Sequence, residues 1–513
     1  MKRSQIFFWI WLTVTSVGIQ GHALAVFNEG TQFDIFGIIQ EFELLDGAKS
    51  VCPGPSSSSL LVGARMKVNG LDIIVPCNSI ITMPGSYLTP HDIFRGPQAD
   101  PSPLPQSGLA VTDTSPAPIA PYEASIQGNI VCVPVVGCRY IAGLVSISQN
   151  SLNNAGGYIH EIVSGTGELF IGASPLATTR QPGDVRLVLN DPDGKYGRPV
   201  SADRRFATDP DNPAISAQTG YPMCVPSSGV SFCAPSQNRP KMGGKPRTEF
   251  VIGQNPLAPP IPGNAPILNC PTAVCDPTKM AAFEAGDFVM YAGILARDTT
   301  NQTFISAYKL TAWLGIFTAP GTDPAYVNQD VSIMGAAGPR VDQIDTEVQN
   351  RLKVEGFTTD PSRVVDVYAV DVHPTSGNRT LRRLTTITPQ AVPFGRFRQV
   401  LDKDPRFLPP PRELLVRIRH VGDLNAGPDP GPGPGRYTAP IQEIIFPENT
   451  RWGDDLVPFN FHCLPFLTQG SGPLSTLDHA GVAGTPIVGQ LNPWPGNPAP
   501  SPTVPPASSS CRQ

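Results

Sequence analysis

Asp34-Ile-Phe-Gly37-Ile-Ile39, Ser125-Ile-Gln-Gly128-Asn-Ile130, Met290-Tyr-Ala-Gly293-Ile-Leu295 and Lys353-Val-Glu-Gly356-Phe-Thr358 share one pattern, an apolar run with a glycine inside it. Each is followed by a second alternating strand: Ala64 to Gly70, Arg139 to Ser148, Phe304 to Leu314 and Val364 to Val372. Glycine inside a strand marks a bulge or a sharp coil, the device by which small barrels turn a corner. A curved first strand followed by a meander fits an oligonucleotide/oligosaccharide-binding (OB) barrel or a comparable small barrel. A sandwich is the competing architecture.

The rest of the chain reads the same way. Short runs rich in Val, Ile, Phe, Tyr and Thr lie between Gly, Pro, Asn and Asp, and helical spacing is confined to Thr346–Lys353 and Pro277–Ala285. With 49 glycines and 59 prolines, many turns must separate the folded parts. The expected class is mainly β: several small OB-like or other barrel or sandwich units joined by Pro/Gly-rich linkers, with an irregular disulfide-tied insertion. The expected divisions are a signal peptide at 1–25, β units at 26–96 and 123–180, and a Pro-rich linker at 97–122 between them. An irregular Cys-containing insertion at 181–276 comes next, then β units at 277–340 and 341–474 and a flexible Pro/Ser-rich tail at 475–513. The run Gly427–Gly435 reads as a further spacer.

Lys2 and Arg3 precede an apolar run, Ile6 to Val14, which leads to Ala23-Leu24-Ala25. A basic head, a core too short to span a bilayer and an A-x-A cleavage pattern predict a removable secretory peptide and an extracellular protein. Ten cysteines then predict disulfides, with local pairs at Cys52/Cys77, Cys132/Cys138, Cys224/Cys233 and Cys270/Cys275, leaving Cys463 and Cys511. Sequence spacing alone leaves the connectivity open. No later segment is long and apolar enough for a transmembrane helix. The net charge of −5 and the lack of a basic stripe argue against nucleic acid as a partner.

Chemistry-bearing motifs are sparse. Asp191 and Asp193, in Asn190-Asp-Pro-Asp-Gly194, place two carboxylates and a glycine where a calcium loop could form, although Pro192 restricts it; two self-capped turns explain the run more simply. His160-Glu161 and Asp478-His479 supply acid–base types without a nucleophile elbow. His462-Cys463 reads better as a disulfided strand end than as an activated thiol. Glu41, Glu43, Glu161 and Glu168 are the carboxylates from which a glycoside-cleaving pair could be assembled. Trp313, Tyr326 and Trp452 could stack on sugar rings, whose apolar faces match flat aromatic ones; Trp313 also fits a core position, and Trp494 reads as an incidental tail residue. Asn301-Gln-Thr303 and Asn378-Arg-Thr380 are glycosylation sequons placed in surface turns.

Several phrases resemble a family of uncharacterised secreted proteins of fungi and bacteria. They are Thr219-Gly-Tyr-Pro-Met-Cys224, Gly286-Asp-Phe-Val-Met-Tyr-Ala-Gly293 and Gly315-Ile-Phe-Thr-Ala-Pro-Gly-Thr-Asp-Pro-Ala-Tyr326, with Val354-Glu-Gly-Phe-Thr-Thr-Asp-Pro-Ser-Arg363, Ile444-Ile-Phe-Pro-Glu-Asn449 and Pro465-Phe-Leu-Thr-Gln-Gly-Ser-Gly472. The resemblance implies secretion and brings no activity, cofactor or catalytic residue. The expected function is a secreted, non-catalytic binding or structural protein of the cell wall or matrix, with an extracellular glycan or protein as partner and no cofactor. A secreted hydrolase acting on polysaccharide or ester is the alternative.

Overall fold

The computed structural model describes residues 31–46, 49, 52, 61–98, 103–133, 137–149, 153–242, 245–253, 268–335, 351–401, 404–420, 433–446, 458–470 and 488–496. The segment read as a signal peptide lies outside them.

Strands β1 (Thr31–Leu45), β2 (Gly63–Val68), β3 (Leu71–Val75), β4 (Glu123–Val133) and β5 (Gly137–Ser148) close into a ring. Neighbours are antiparallel except at the closure, where Ile73 and Ile74 of β3 run parallel to Tyr140 and Ile141 of β5. The ring order β1-β2-β3-β5-β4 is that of an OB-type Greek-key barrel. Inward positions supply Ile39, Phe42, Met66, Val68, Ile73, Val75 and Ile126 as one core. Between β3 and β4 sits the short helix α1 (Pro90–Ile93), started by a reciprocal cap between Thr89 and Asp92.

A second ring repeats the plan. Its strands are β6 (Asn154–Ile162), β7 (Leu169–Gly172), β8 (Val185–Leu189), β9 (Phe288–Arg297) and β10 (Thr303–Ala312), with β8 parallel to β10 and every other pair antiparallel. The pairing of fourth with fifth strand carries the same irregularity in both barrels, an extra residue on the fifth strand, Gly143 in β5 and Tyr308 in β10. The register slips between Gln127 and Gly128 in β4 and between Ala292 and Gly293 in β9. Both glycines are sterically required. A Cβ on Gly128 would lie 2.4 Å from the Ile141 carbonyl, and one on Gly293 would lie 2.6 Å from that of Ser306.

The third unit is a sandwich. Strands β11 (Val327–Gly335), β12 (Leu352–Thr358), β15 (Arg396–Leu401) and β18 (Glu443–Ile445) form one sheet. Strands β13 (Val365–Val372), β14 (Arg379–Ile387), β16 (Glu413–Ile418) and β17 (Arg436–Pro440) form the other. Val354, Val367, Leu384, Phe397, Leu414 and Val416 make their shared core, and the chain switches sheets as in immunoglobulin-type Greek keys.

The mainly β architecture is therefore as expected, but the units divide elsewhere. The Pro-rich segment 97–122 lies within the first barrel, because β4 on its C-terminal side pairs with β1 on its N-terminal side. The second barrel begins at Asn154 and brackets residues 190–287, so the insertion starts after β8. No helix forms over 277–285, where Ala281–Ala282 pairs with Met223–Cys224, and Leu352 and Lys353 belong to β12. Residues 488–496 are not a free tail: Trp494 is buried, and Cys77 and Asn492 form an isolated bridge. The other expected tail residues, and most of Gly427–Gly435, lie outside the described residues.

Disulfides join Cys52–Cys77, Cys132–Cys138, Cys224–Cys233 and Cys270–Cys275. Cys463 is also disulfide-bonded, and Cys511 lies outside the described residues. Among the described residues no helix is long and apolar enough to cross a membrane.

Candidate ligand cleft

The three units converge on a cleft of about 980 Å³, near the top of the roughly 300–1,000 Å³ range of small-ligand sites. One wall is the outer face of β4 and β5, carrying Ser125, Gln127, Leu144, Ser146 and Ser148. The facing wall is the outer face of β9 and β10, carrying Met290, Ala292, Lys309 and Thr311, with Trp313 just beyond. The sandwich adds Asn328, Gln329 and Asp330 from β11 and Tyr437 and residues 439–444 around β17 and β18. The insertion adds Ser216 and Gln218.

Trp313 is half exposed, its ring meeting Phe394 edge-on at 5.1 Å. Met290 is 39% exposed because its cross-strand neighbour on β6 is Gly156, which has no side chain to cover it. Two amides are buried in the lining: neither end of Gln329 nor the Gln218 oxygen has a hydrogen-bond partner among the described residues. Gln218 is held beside β11 because its carbonyl accepts from Asn328 Nδ2 at 3.1 Å. Gln127 is fixed differently, donating to Asp34 at 2.9 Å.

The cleft's ionisable groups are tuned by burial. Burial holds the Arg412 guanidinium below its ordinary range, and the group lies 4.6 Å over the Phe466 ring. Burial likewise raises the neighbouring Glu413 carboxyl. Asp209 is pushed up to about 6 by burial, against hydrogen bonds from the Asn212 amide and the backbone of Asp211 and Asn212.

The sequence candidates fall in different places. Trp313 lines the cleft, whereas Tyr326 is buried, stacked edge-on against Tyr221 and donating to the Pro277 carbonyl at 3.0 Å. It has no face left for a ligand. Trp452, Asp478 and His479 lie outside the described residues. Asp191 is buried, and its two oxygens accept from the backbone N–H groups of Lys195, Tyr196 and Gly197 at 3.0, 2.6 and 3.1 Å. Asp193 is instead exposed, 3.8 Å from Arg204. The pair is thus a capped turn and not a converging cation site, and no group able to hold a metal occurs among the described residues. Asn301 and Asn378 both sit in exposed turns.

The four glutamates do not converge. Glu41 and Glu43 both pair with Arg65 at 2.8 Å, whose hydrogen bonds hold their carboxyls below the usual range. Glu168 pairs with Arg186 at 2.5 Å, and Glu161 accepts from the Arg180 backbone. His160 is fixed between Asp184 (2.8 Å) and the Ser174 carbonyl (2.9 Å), which occupies both ring nitrogens in packing.

No protein-family model matches the chain, and neither a curated protein nor a solved structure does.

Proposed function

We propose that this chain is a secreted, non-catalytic binding protein acting at a cell wall or extracellular matrix, and that the three-unit cleft receives its ligand. One observation carries the reading: a half-exposed indole, Trp313, stands at a cleft built from all three units. A large exposed aromatic beside a deep concavity is a recurrent feature of ligand sites. The basic head and A-x-A pattern of residues 1–25, the resemblance to secreted proteins and the disulfides support an extracellular setting.

The test is a sedimentation screen of the mature protein against insoluble cell-wall polysaccharides, scoring both pelleted protein and released sugar. The proposal expects retention without release. Release would make the chain a hydrolase instead. The absence of both retention and release would overturn the glycan-surface reading in favour of a protein partner or a purely structural role.

A further inference from the structure

The two barrels present equivalent faces to the cleft, and their residues differ in a directed way. Superposing the bulges that lie opposite Gly128 and Gly293 makes Ser125 the counterpart of Met290, Ser146 of Thr311 and Ser148 of Trp313. The first barrel thus offers hydroxyls at two positions where the second offers a thioether and an indole, while the Ser146 and Thr311 pair keeps a hydroxyl on both walls. This is the face of strands one, four and five, not the strand two and three face that OB barrels ordinarily use.

From this asymmetry, and resting on the binding reading above, we propose that the cleft takes a neutral oligosaccharide. Its apolar ring face would lie on Trp313 and Met290, and its hydroxyl rim would be read by Gln329, Gln218 and the serine wall. A pyranose has one apolar face and a rim of groups that donate and accept together. The Gln329 amide offers an unpartnered donor and an unpartnered acceptor on one side chain, 6% exposed, and the 5% exposed Gln218 adds an acceptor. Burying such groups costs free energy unless a partner arrives, and a hydroxyl rim supplies partners of both kinds.

Neutrality is implied by the charges. Lys309 and Arg412 face Asp34, Asp209, Asp330 and Glu443, so an anionic glycan would meet no net cationic surface. On the barrel walls strand addition by an extended peptide is closed, because β4, β5, β9 and β10 are each paired on both sides; the edge strands at the cleft are β17 and β18 of the sandwich.

The test titrates the mature full-length protein with neutral hexasaccharides of glucose, N-acetylglucosamine, mannose and xylose. An acidic galacturonate hexamer and a neutral peptide serve as comparisons. Binding of at least one neutral hexamer is expected. It should weaken by about tenfold or more in Trp313→Ala and in Gln329→Leu, which removes both amide ends at similar size. Melting of Gln329→Leu should be unchanged or later, because an unpaired buried amide is gone; Trp313, being half exposed, keeps the test valid should that variant misfold. Neutral hexamers that bind both variants like the wild type would overturn the site. Retention on insoluble polysaccharide with binding only of the acidic hexamer or peptide would overturn the ligand class and leave the binding reading standing. No retention at all would remove both.

Discussion

Asn129 is the side chain on which the C-terminal segment depends, and replacing it by leucine should release that segment alone. The side chain is fully buried on β4. Its Nδ2 donates to the Phe459 carbonyl at 2.9 Å and to that of Pro495 at 2.6 Å, while Oδ1 accepts from Phe459 N–H at 2.8 Å. Asn129→Leu keeps the volume and orphans three buried backbone groups. Each costs about 1–3 kcal/mol, so even at the low end the segment loses about 3 kcal/mol of local stability. That is about a hundredfold in the opening equilibrium. Global melting is a poor reporter in a chain of several units, so the assay is hydrogen exchange followed by peptide mass spectrometry. The amides of Leu491 and Asn492, bonded to Leu467 and Cys77, should lose about two decades of protection while β1 to β3 hold theirs. Unchanged protection of 488–496 would refute the clamp. Equal loss throughout the barrel would show that Asn129 supports the barrel and not the segment.

The half-buried Asp209 should impose a pH dependence. Its folded-state carboxyl, raised from 3.8 to about 6, binds a proton more tightly than the unfolded chain does. Its stabilising contribution is therefore complete at low pH and is lost as pH rises through about 6. The unfolding free energy of wild type minus that of Asp209→Asn should fall by up to about 3 kcal/mol between about pH 4 and about pH 7, and a flat difference would contradict the burial argument. Arg239 ties the middle of the insertion to its last segment, which leads into β9, donating to both Asp287 oxygens at 2.7 Å and to the Ala282 carbonyl at 2.9 Å. Arg239→Ala should cost about 3–5 kcal/mol in denaturant unfolding by stranding a buried carboxylate, and adding Asp287→Ala should recover part of it. If the double variant is no more stable than the single one, the pair is not the cause.

The range of each interaction decides whether the sequence reveals it. The glycine-bearing strands β4 and β9 were legible because the close approach that demands Gly128 and Gly293 is a local steric fact, although they are fourth strands and not first ones. Of the other two, Gly37 lies in the first strand of the first barrel and Gly356 in the sandwich. The four local cysteine pairs formed as spacing suggested. The barrel closures were not legible, since the parallel contacts of β3 with β5 and β8 with β10 join strands far apart in the chain. Prolines at 97–122 mark turns, and turns look alike within a barrel and between two units. The cleft was the least visible. Ser125, Gln127, Ser146 and Ser148 alternate as solvent-facing residues do, and nothing marks Gln218 or Gln329 until distant strands bury them. Trp313 stood out for its chemistry, while Tyr326, which shares that chemistry, is core.

Oxidative footprinting reads out where on the molecule the ligand sits. Met290 and Trp313 are readily oxidised, exposed and on the cleft wall, while Phe232 is comparably exposed on the insertion, outside the cleft lining. With the mature protein held on the polysaccharide that retains it, modification of Met290 and Trp313 should drop sharply while that of Phe232 stays constant. Equal modification of Met290 and Trp313 in the free and bound states would place the ligand elsewhere and rule out the three-unit cleft as its site.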